Sequence, residues 1–333
     1  MSTGQYVRED DIERVGKTEG AGDLNLIVAI SGKVLYNSAM SIRLKPVDLL
    51  SLLFLALLSA IAVLFFHRIP HGGWLLTRYG MLIAAIALLA WYATNSNTGK
   101  PGRRLYLYLP VFIVPVIFDS LGDMIPWLWS GYFDDALIRV DYALFGVHPT
   151  VWMERFIRPL LTTALQFAYI SYYPMAIVLA ATLAIKGKDE EFDEAVFGII
   201  LCFYLSYLGY ILVPAVGPRY ALAHLQTQGL EAGPMVVAIQ ETLNALENTK
   251  TDAFPSGHTA VAVVTLFYAW KTKEKLLAAV LLPTVTALIC STVYLRYHYV
   301  IDVVAGVLLA VTTLALAPAT RRWLSSSGRP AQH

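Results

Sequence analysis

Apolar residues in this chain gather in long runs separated by short polar stretches. Eight runs, at about 47–66, 75–94, 105–122, 160–185, 194–214, 256–271, 276–293 and 298–317, approach the roughly 20 residues that a helix needs to cross a bilayer. The pattern predicts an all-α fold: a polytopic membrane helix bundle with about eight transmembrane helices. The third run is the weakest, because Pro110, Pro115 and Asp119 interrupt it; proline inside a membrane helix is tolerated and often kinks it. Residues 1–46 are hydrophilic except for the patch 24–30, which fits an interfacial helix, a strand or a plain surface tail. Two longer polar connections remain. One, 123–159, carries Trp127, Trp129 and Trp152, which suit anchors at the membrane–water interface and, as a second reading, a lid over a site. The other, 220–253, contains a stretch from Pro234 to Glu247 suited to a surface helix.

Composition sharpens this picture. Of 333 residues, 57% are hydrophobic and 15% charged, against about 25% charged in a soluble protein. A net charge of +1 argues against nucleic acid as a partner. Cys202 and Cys290 both fall inside apolar runs and read as buried packing residues, with no disulfide or metal framework. No grouping at metal-ligand spacing stands out, so neither metal nor cofactor is expected. The first apolar run is expected to act as the targeting signal itself, with no cleavable leader. With the N-terminus in the cytoplasm, the inside segments hold 17 of the 25 Lys and Arg in less total length than the outside segments. The positive-inside rule therefore predicts both termini, including the 318–333 tail, on the cytoplasmic side.

That orientation brings the chemistry-bearing residues to the outer face. The first stretch is Ala253-Phe254-Pro255-Ser256-Gly257-His258-Thr259-Ala260, at a helix start. A Pro, Ser and Gly there leave backbone N–H groups pointing outward, a ready anion site. Ser256 and Gly257 are the expected phosphate-binding residues, and Gly257 lets backbone approach the anion. A helix cap by Ser256 is the plainer reading and is compatible with that role. His258 is the candidate general acid. The second stretch is Tyr294-Leu295-Arg296-Tyr297-His298-Tyr299-Val300-Ile301-Asp302. His298 is the candidate nucleophile; on a helix, the spacing to Asp302 puts both on one face, so the carboxylate is expected to orient the ring. Arg219 and Arg296 are candidate forked donors to phosphate oxygens.

These residues resemble the type 2 phosphatidic acid phosphatase superfamily. The Pro-Ser-Gly-His piece, the later His298 and Asp302, and Gly217-Pro218-Arg219-Tyr220 as the Arg-containing element carry the likeness over about 217–306, and the hydrophobic pattern extends it back to about 105. The resemblance implies a six-helix catalytic membrane domain at 95–317, preceded by two additional helices at 47–94. The chain departs from the commonest pattern in three places. Leu212 stands where a Lys precedes the first Arg by seven, Tyr220 where a Pro follows it, and Thr292 where an Arg precedes the nucleophilic His by six. Arg296 is a candidate to supply the missing charge. The ending of the second stretch resembles inositol phosphorylceramide synthases and, more distantly, sphingomyelin synthases, which pass a phospho-head-group to an alcohol on another lipid.

Asp119 and Asp123, four apart near the outer end of the third run, are candidates to bind a head group or acceptor; the alternatives are an interfacial position or a pairing with Arg139. Tyr169, Tyr172 and Tyr173 crowd the fourth run, as aromatic packing first and as a polar lining of a lipid path second. The expected activity is phosphoryl transfer on a phospholipid or lipid phosphate through a phosphohistidine, on the periplasmic or lumenal side, in a membrane expected to be a bacterial inner one. Water as the second substrate makes the protein a phosphatase; a lipid alcohol or inositol acceptor makes it a phosphotransferase. The reading from another class is a non-catalytic lipid-binding or transport protein; clustering of the charges at one face beside two His weighs against it.

Overall fold

The computed structural model describes residues 29–30, 33–34, 44–95, 109–230, 233, 237, 238, 242 and 248–327. The chain divides into two compact units, Met1–Met40 and Ser41–His333. In the first, β1 (Ala29–Ile30) pairs antiparallel with β2 (Lys33–Val34), with Ala29 opposite Val34 and Ile30 opposite Lys33. The strand alternative thus holds for the last two residues of the apolar patch; its other residues lie outside those described. Of the stretch Pro234 to Glu247, residues 237, 238 and 242 are described, and all three are helical.

The second unit is helical. α1 (Pro46–Leu64) starts with Pro at its first position, and the Asp48 carboxylate accepts the Lys45 N–H at 2.6 Å, which settles two of the orphan groups of a helix start. α2 (Gly72–Asn95) packs back on it, and α3 (Leu109–Met124) follows with Pro115 inside. The long connection then folds as α4 (Asp134–Phe145), closed by Gly146 at φ 69°, and the short α5 (Pro149–Trp152). A left-handed residue is the usual stop for a helix, and glycine adopts it without a Cβ penalty. α6 (Pro159–Ile170) and α7 (Tyr172–Ile185) form a pair bent by 45° at Ser171. α8 (Asp189–Leu212) begins with three acids that suit its positive end. After the short α9 (Pro218–Ala221) come α10 (Gly257–Lys271), α11 (Lys275–Tyr294) and α12 (Val300–Ser327).

Among the described residues, six helices are long and apolar enough to cross a membrane, seven if the bent pair α6–α7 counts as one span. The sixth expected span, 256–271, is helical, but α10 has only 15 residues and is short for a full crossing. α8 is the central helix. One side packs with α1, α2 and α3 around Phe54, Tyr204 and Tyr207, the other with α7, α10 and α12 around Leu179, Cys202 and Val264. Cys202 is buried as expected. Cys290 is not: it is exposed on α11, because apolar residues of a membrane helix face lipid as well as protein. The ends of α8 and α11 and the starts of α10 and α12 meet at one end of the bundle. At the other end Lys188 donates to Glu274 at 2.7 Å, Lys186 also donates to Glu274, and Lys45 donates to Asp193 at 2.7 Å.

Candidate active site

α10 starts where it does because Ser256 caps it. The Ser256 hydroxyl accepts the Thr259 N–H at 3.3 Å and donates to the Thr259 hydroxyl at 3.0 Å. Gly257 next to it is packed against α8: a Cβ there would run into the Tyr210 hydroxyl. His258 follows in the first turn. Its ring lies between Tyr169 (centroids 4.6 Å apart, 26° between planes) and Tyr172 (4.3 Å, 41°). Its Nε2 is buried with no protein partner. Tyr169 and Tyr172 of the fourth run therefore do pack, and what they pack against is a site histidine, while Tyr173 is exposed and meets Tyr172 edge-on.

His298 approaches from the other side, with its ring centroid 5.7 Å from that of His258. Its Nδ1 lies 2.7 Å from the Ala253 carbonyl oxygen. A carbonyl only accepts, so Nδ1 carries the proton in this contact and the neutral ring keeps its lone pair on Nε2. The expectation that Asp302 holds the ring through a shared helix face is corrected here. α12 begins at Val300, so His298 precedes the helix and the four-residue spacing crosses its start. Asp302 instead accepts the Tyr299 N–H at 2.8 Å, as the third residue of a helix often does for its cap. Its Oδ2 stands 3.6 Å from His298 Nδ1, fully buried: an electrostatic neighbour, with the carbonyl as the hydrogen-bond partner.

The third motif joins through backbone. Ala215 bridges Asp252, and the Ala253 N–H donates to the Ala215 carbonyl at 3.0 Å, so the segment leading to Arg219 lies beside the one leading to His258. Gly217 turns with φ 84°, and a Cβ there would lie 2.6 Å from the Tyr297 carbonyl oxygen. Arg219 then reaches over the Tyr297 ring, 5.6 Å from its centroid, and Tyr297 stacks on Tyr169 at 4.3 Å. His258, His298, Arg219, Tyr169 and Tyr297 wall a small cavity at this end of the bundle, together with Lys250 and Asp252.

Besides Asp302, five expected site residues do not line that cavity. Ser256 and Gly257 sit behind it in the α10 cap. Arg296, 7% exposed, turns away: its guanidinium bonds Glu154 at 2.9 Å, the Gln228 carbonyl at 2.6 Å and the Gln226 side chain at 3.1 Å. Asp119 and Asp123 lie apart as well, so two more residues of the expected set are placed elsewhere. Their partner is Arg78 of α2, at 2.9 and 3.4 Å, and not Arg139. Asp123 also accepts from Asn248 at 2.9 Å.

Sequence reasoning missed the acids that hold the motifs in place. Asp134 accepts the Val216 and Gly217 N–H groups at 2.9 and 2.8 Å and the Tyr299 hydroxyl at 2.9 Å. Asp141 accepts the Val300 and Ile301 N–H groups, both at 2.9 Å, and so caps α12. Burial pushes the Asp141 carboxyl up from its ordinary value, while those two N–H bonds pull it back down. Their seven-residue spacing, one face of an amphipathic helix, was the available signal. The connection 123–159 thus acts as a brace. Its tryptophans are each about two-fifths exposed, and Trp129 also donates to the Ile211 carbonyl at 2.7 Å. Lys250 and Asp252 were also missed, although they directly precede the motif at 253.

Fold and site together are those of an integral-membrane phosphatase or phosphotransferase. The chain belongs to the PAP2 superfamily, whose profile matches residues 135–316, more than half of its length. It is 27% identical over 252 residues to a phosphoinositol dihydroceramide synthase of Bacteroides thetaiotaomicron, covering 69% of this chain and 81% of that relative. A PA-phosphatase related-family protein of Dictyostelium discoideum is 25% identical over 224 residues, 60% of this chain and 38% of the relative. No solved structure matches significantly.

Proposed function

We propose that this protein transfers a phospho-head-group from a phospholipid to the hydroxyl of a second lipid or a polyol, through a phosphohistidine on His298, at the outer membrane face. The observation that carries this reading is the 2.7 Å contact of His298 Nδ1 with the Ala253 carbonyl, which leaves the Nε2 lone pair for attack on phosphorus. The Nε2–P bond forms as the bond from phosphorus to the lipid oxygen breaks, and His258 gives that oxygen its proton. The buried Asp302 carboxylate stabilises the positive ring, and Arg219 binds the phosphoryl oxygens. In the second half, the now neutral His258 takes the proton of the acceptor hydroxyl as its oxygen attacks phosphorus and the P–N bond breaks. The likeness to a phosphoinositol dihydroceramide synthase supports an alcohol acceptor. The likeness to a phosphatase-related protein supports water as the second reading.

The test uses purified protein in liposomes without added metal, given phospholipids and lipid phosphates with and without diacylglycerol, ceramide or inositol. Products are followed by mass spectrometry, with His298→Ala as control. A new phospholipid that forms only with an acceptor supports transfer, and free phosphate or phospho-head-group alone supports hydrolysis. Equal products from wild type and His298→Ala overturn the reading.

A further inference from the structure

As His298 attacks, negative charge builds on the phosphoryl oxygens, and a permanent cation beside them stabilises it. Arg219 is one such cation. The resemblance places a second at Leu212, which is apolar and 62% exposed. Arg296 is held by Glu154 outside the cavity. Among the described residues lining the cavity, the other basic side chain besides the two histidines and Arg219 is Lys250. It lies on an extended segment on which Thr249 and Thr251 are buried, 1% and 2% exposed, while Lys250 between them is exposed. Alternation along an extended strand puts Lys250 and Asp252 on one side, and both line the cavity.

The segment is held from below. Thr249 donates to the Phe118 carbonyl at 2.6 Å, and Asn248 donates to Asp123 at 2.9 Å and to the Asp119 carbonyl at 3.3 Å. Both carboxylates are clasped by Arg78. At Gly122 a Cβ would lie 2.8 Å from the Asn248 backbone, so α3 and this segment are in close contact. We propose that Lys250 is the second phosphate-binding cation of the site, positioned by a clasp of Arg78, Asp119, Asp123 and Asn248 between the added N-terminal helices and the segment before α10. The inference rests on the phosphoryl-transfer reading for its role in turnover, and gives Asp119 and Asp123 a positioning role in place of head-group binding.

Orthovanadate, a phosphate analogue, tests the binding part without turnover. Calorimetry on the full chain in detergent compares wild type with Lys250→Gln, Lys250→Arg and the remote Lys275→Ala. The expected result is about tenfold weaker binding for Lys250→Gln, the size of one charge-assisted hydrogen bond. Lys250→Arg recovers most of it, and Lys275→Ala matches wild type. Unchanged binding in Lys250→Gln, or no binding by wild type, overturns the proposal. Lipid turnover in the same preparations separates the two readings. Lys250-dependent vanadate binding without turnover by wild type sinks the transfer reading alone. His298-dependent turnover with unchanged KM in Lys250→Gln sinks the lysine alone. For the clasp, Asn248→Ala raises KM at unchanged thermal midpoint; a lowered midpoint with unchanged KM makes the clasp a stability device only and overturns its positioning role.

Discussion

The Tyr299 hydroxyl donates to Asp134 at 2.9 Å, and through that carboxylate the residue after the candidate nucleophile is tied to the backbone before Arg219. Burial, reinforced by the negative charge of Asp134, holds the phenol well above its ordinary pKa, so it remains a donor at all working pH. Asp134→Ala strips the acceptor from three donors at once and is expected to cost about 3 kcal/mol of stability, with most of the activity. Tyr299→Phe removes one of the three and is expected to cost about 1 kcal/mol. Thermal unfolding and turnover of the two variants check the ranking; equal effects would break the link drawn between the motifs.

A leaving oxygen of low basicity needs no general acid. His258→Ala is therefore expected to lower turnover of a phospholipid about 10²- to 10⁴-fold, and to be far less harmful with a p-nitrophenyl phosphoester as donor. His298→Ala is expected to abolish both. Equal losses on the two donors would remove His258 from the acid role.

Arg296 and Glu154, both 7% exposed, form a buried ion pair. Breaking such a pair from one side leaves the other charge unpaired, at a cost of about 3–5 kcal/mol. Arg296→Met is expected to lower the thermal midpoint strongly, and the double variant with Glu154→Leu is expected to recover part of it. Donor KM measured on the double variant stays near wild type if Arg296 acts through the fold. A large rise in KM with normal stability would return Arg296 to the phosphate.

Hydrogen bonds from Lys186 and Lys188 hold the Glu274 carboxyl below its ordinary range. A depressed folded value means that the unfolded chain takes up the proton first. The stabilisation is therefore complete at neutral pH, begins to fall below about pH 4 and is lost as pH passes the folded value. Thermal midpoints of wild type and Glu274→Gln are expected to differ at pH 7 and to converge in acid; a gap constant down to pH 3 would contradict this.

Much of the architecture was legible along the chain. Runs of about 20 apolar residues marked the spanning helices, because crossing a bilayer is a matter of length and apolarity within one segment. The Ser256 cap and the adjacency of His258 were equally local. The i,i+4 rule failed at His298 because it presumes a helix that has already begun, and α12 starts two residues later.

What the sequence by itself determined was therefore the class of fold, the two histidines and the arginine at one end of the bundle. What only the tertiary structure decided was pairing. Asp134 and Tyr299 are separated by 165 positions, Arg296 and Glu154 by 142, and Arg78 and Asp119 by 41. No periodicity connects such residues. Their partners follow from which helix faces meet, and a buried charge or N–H takes the complementary group that packing brings within reach.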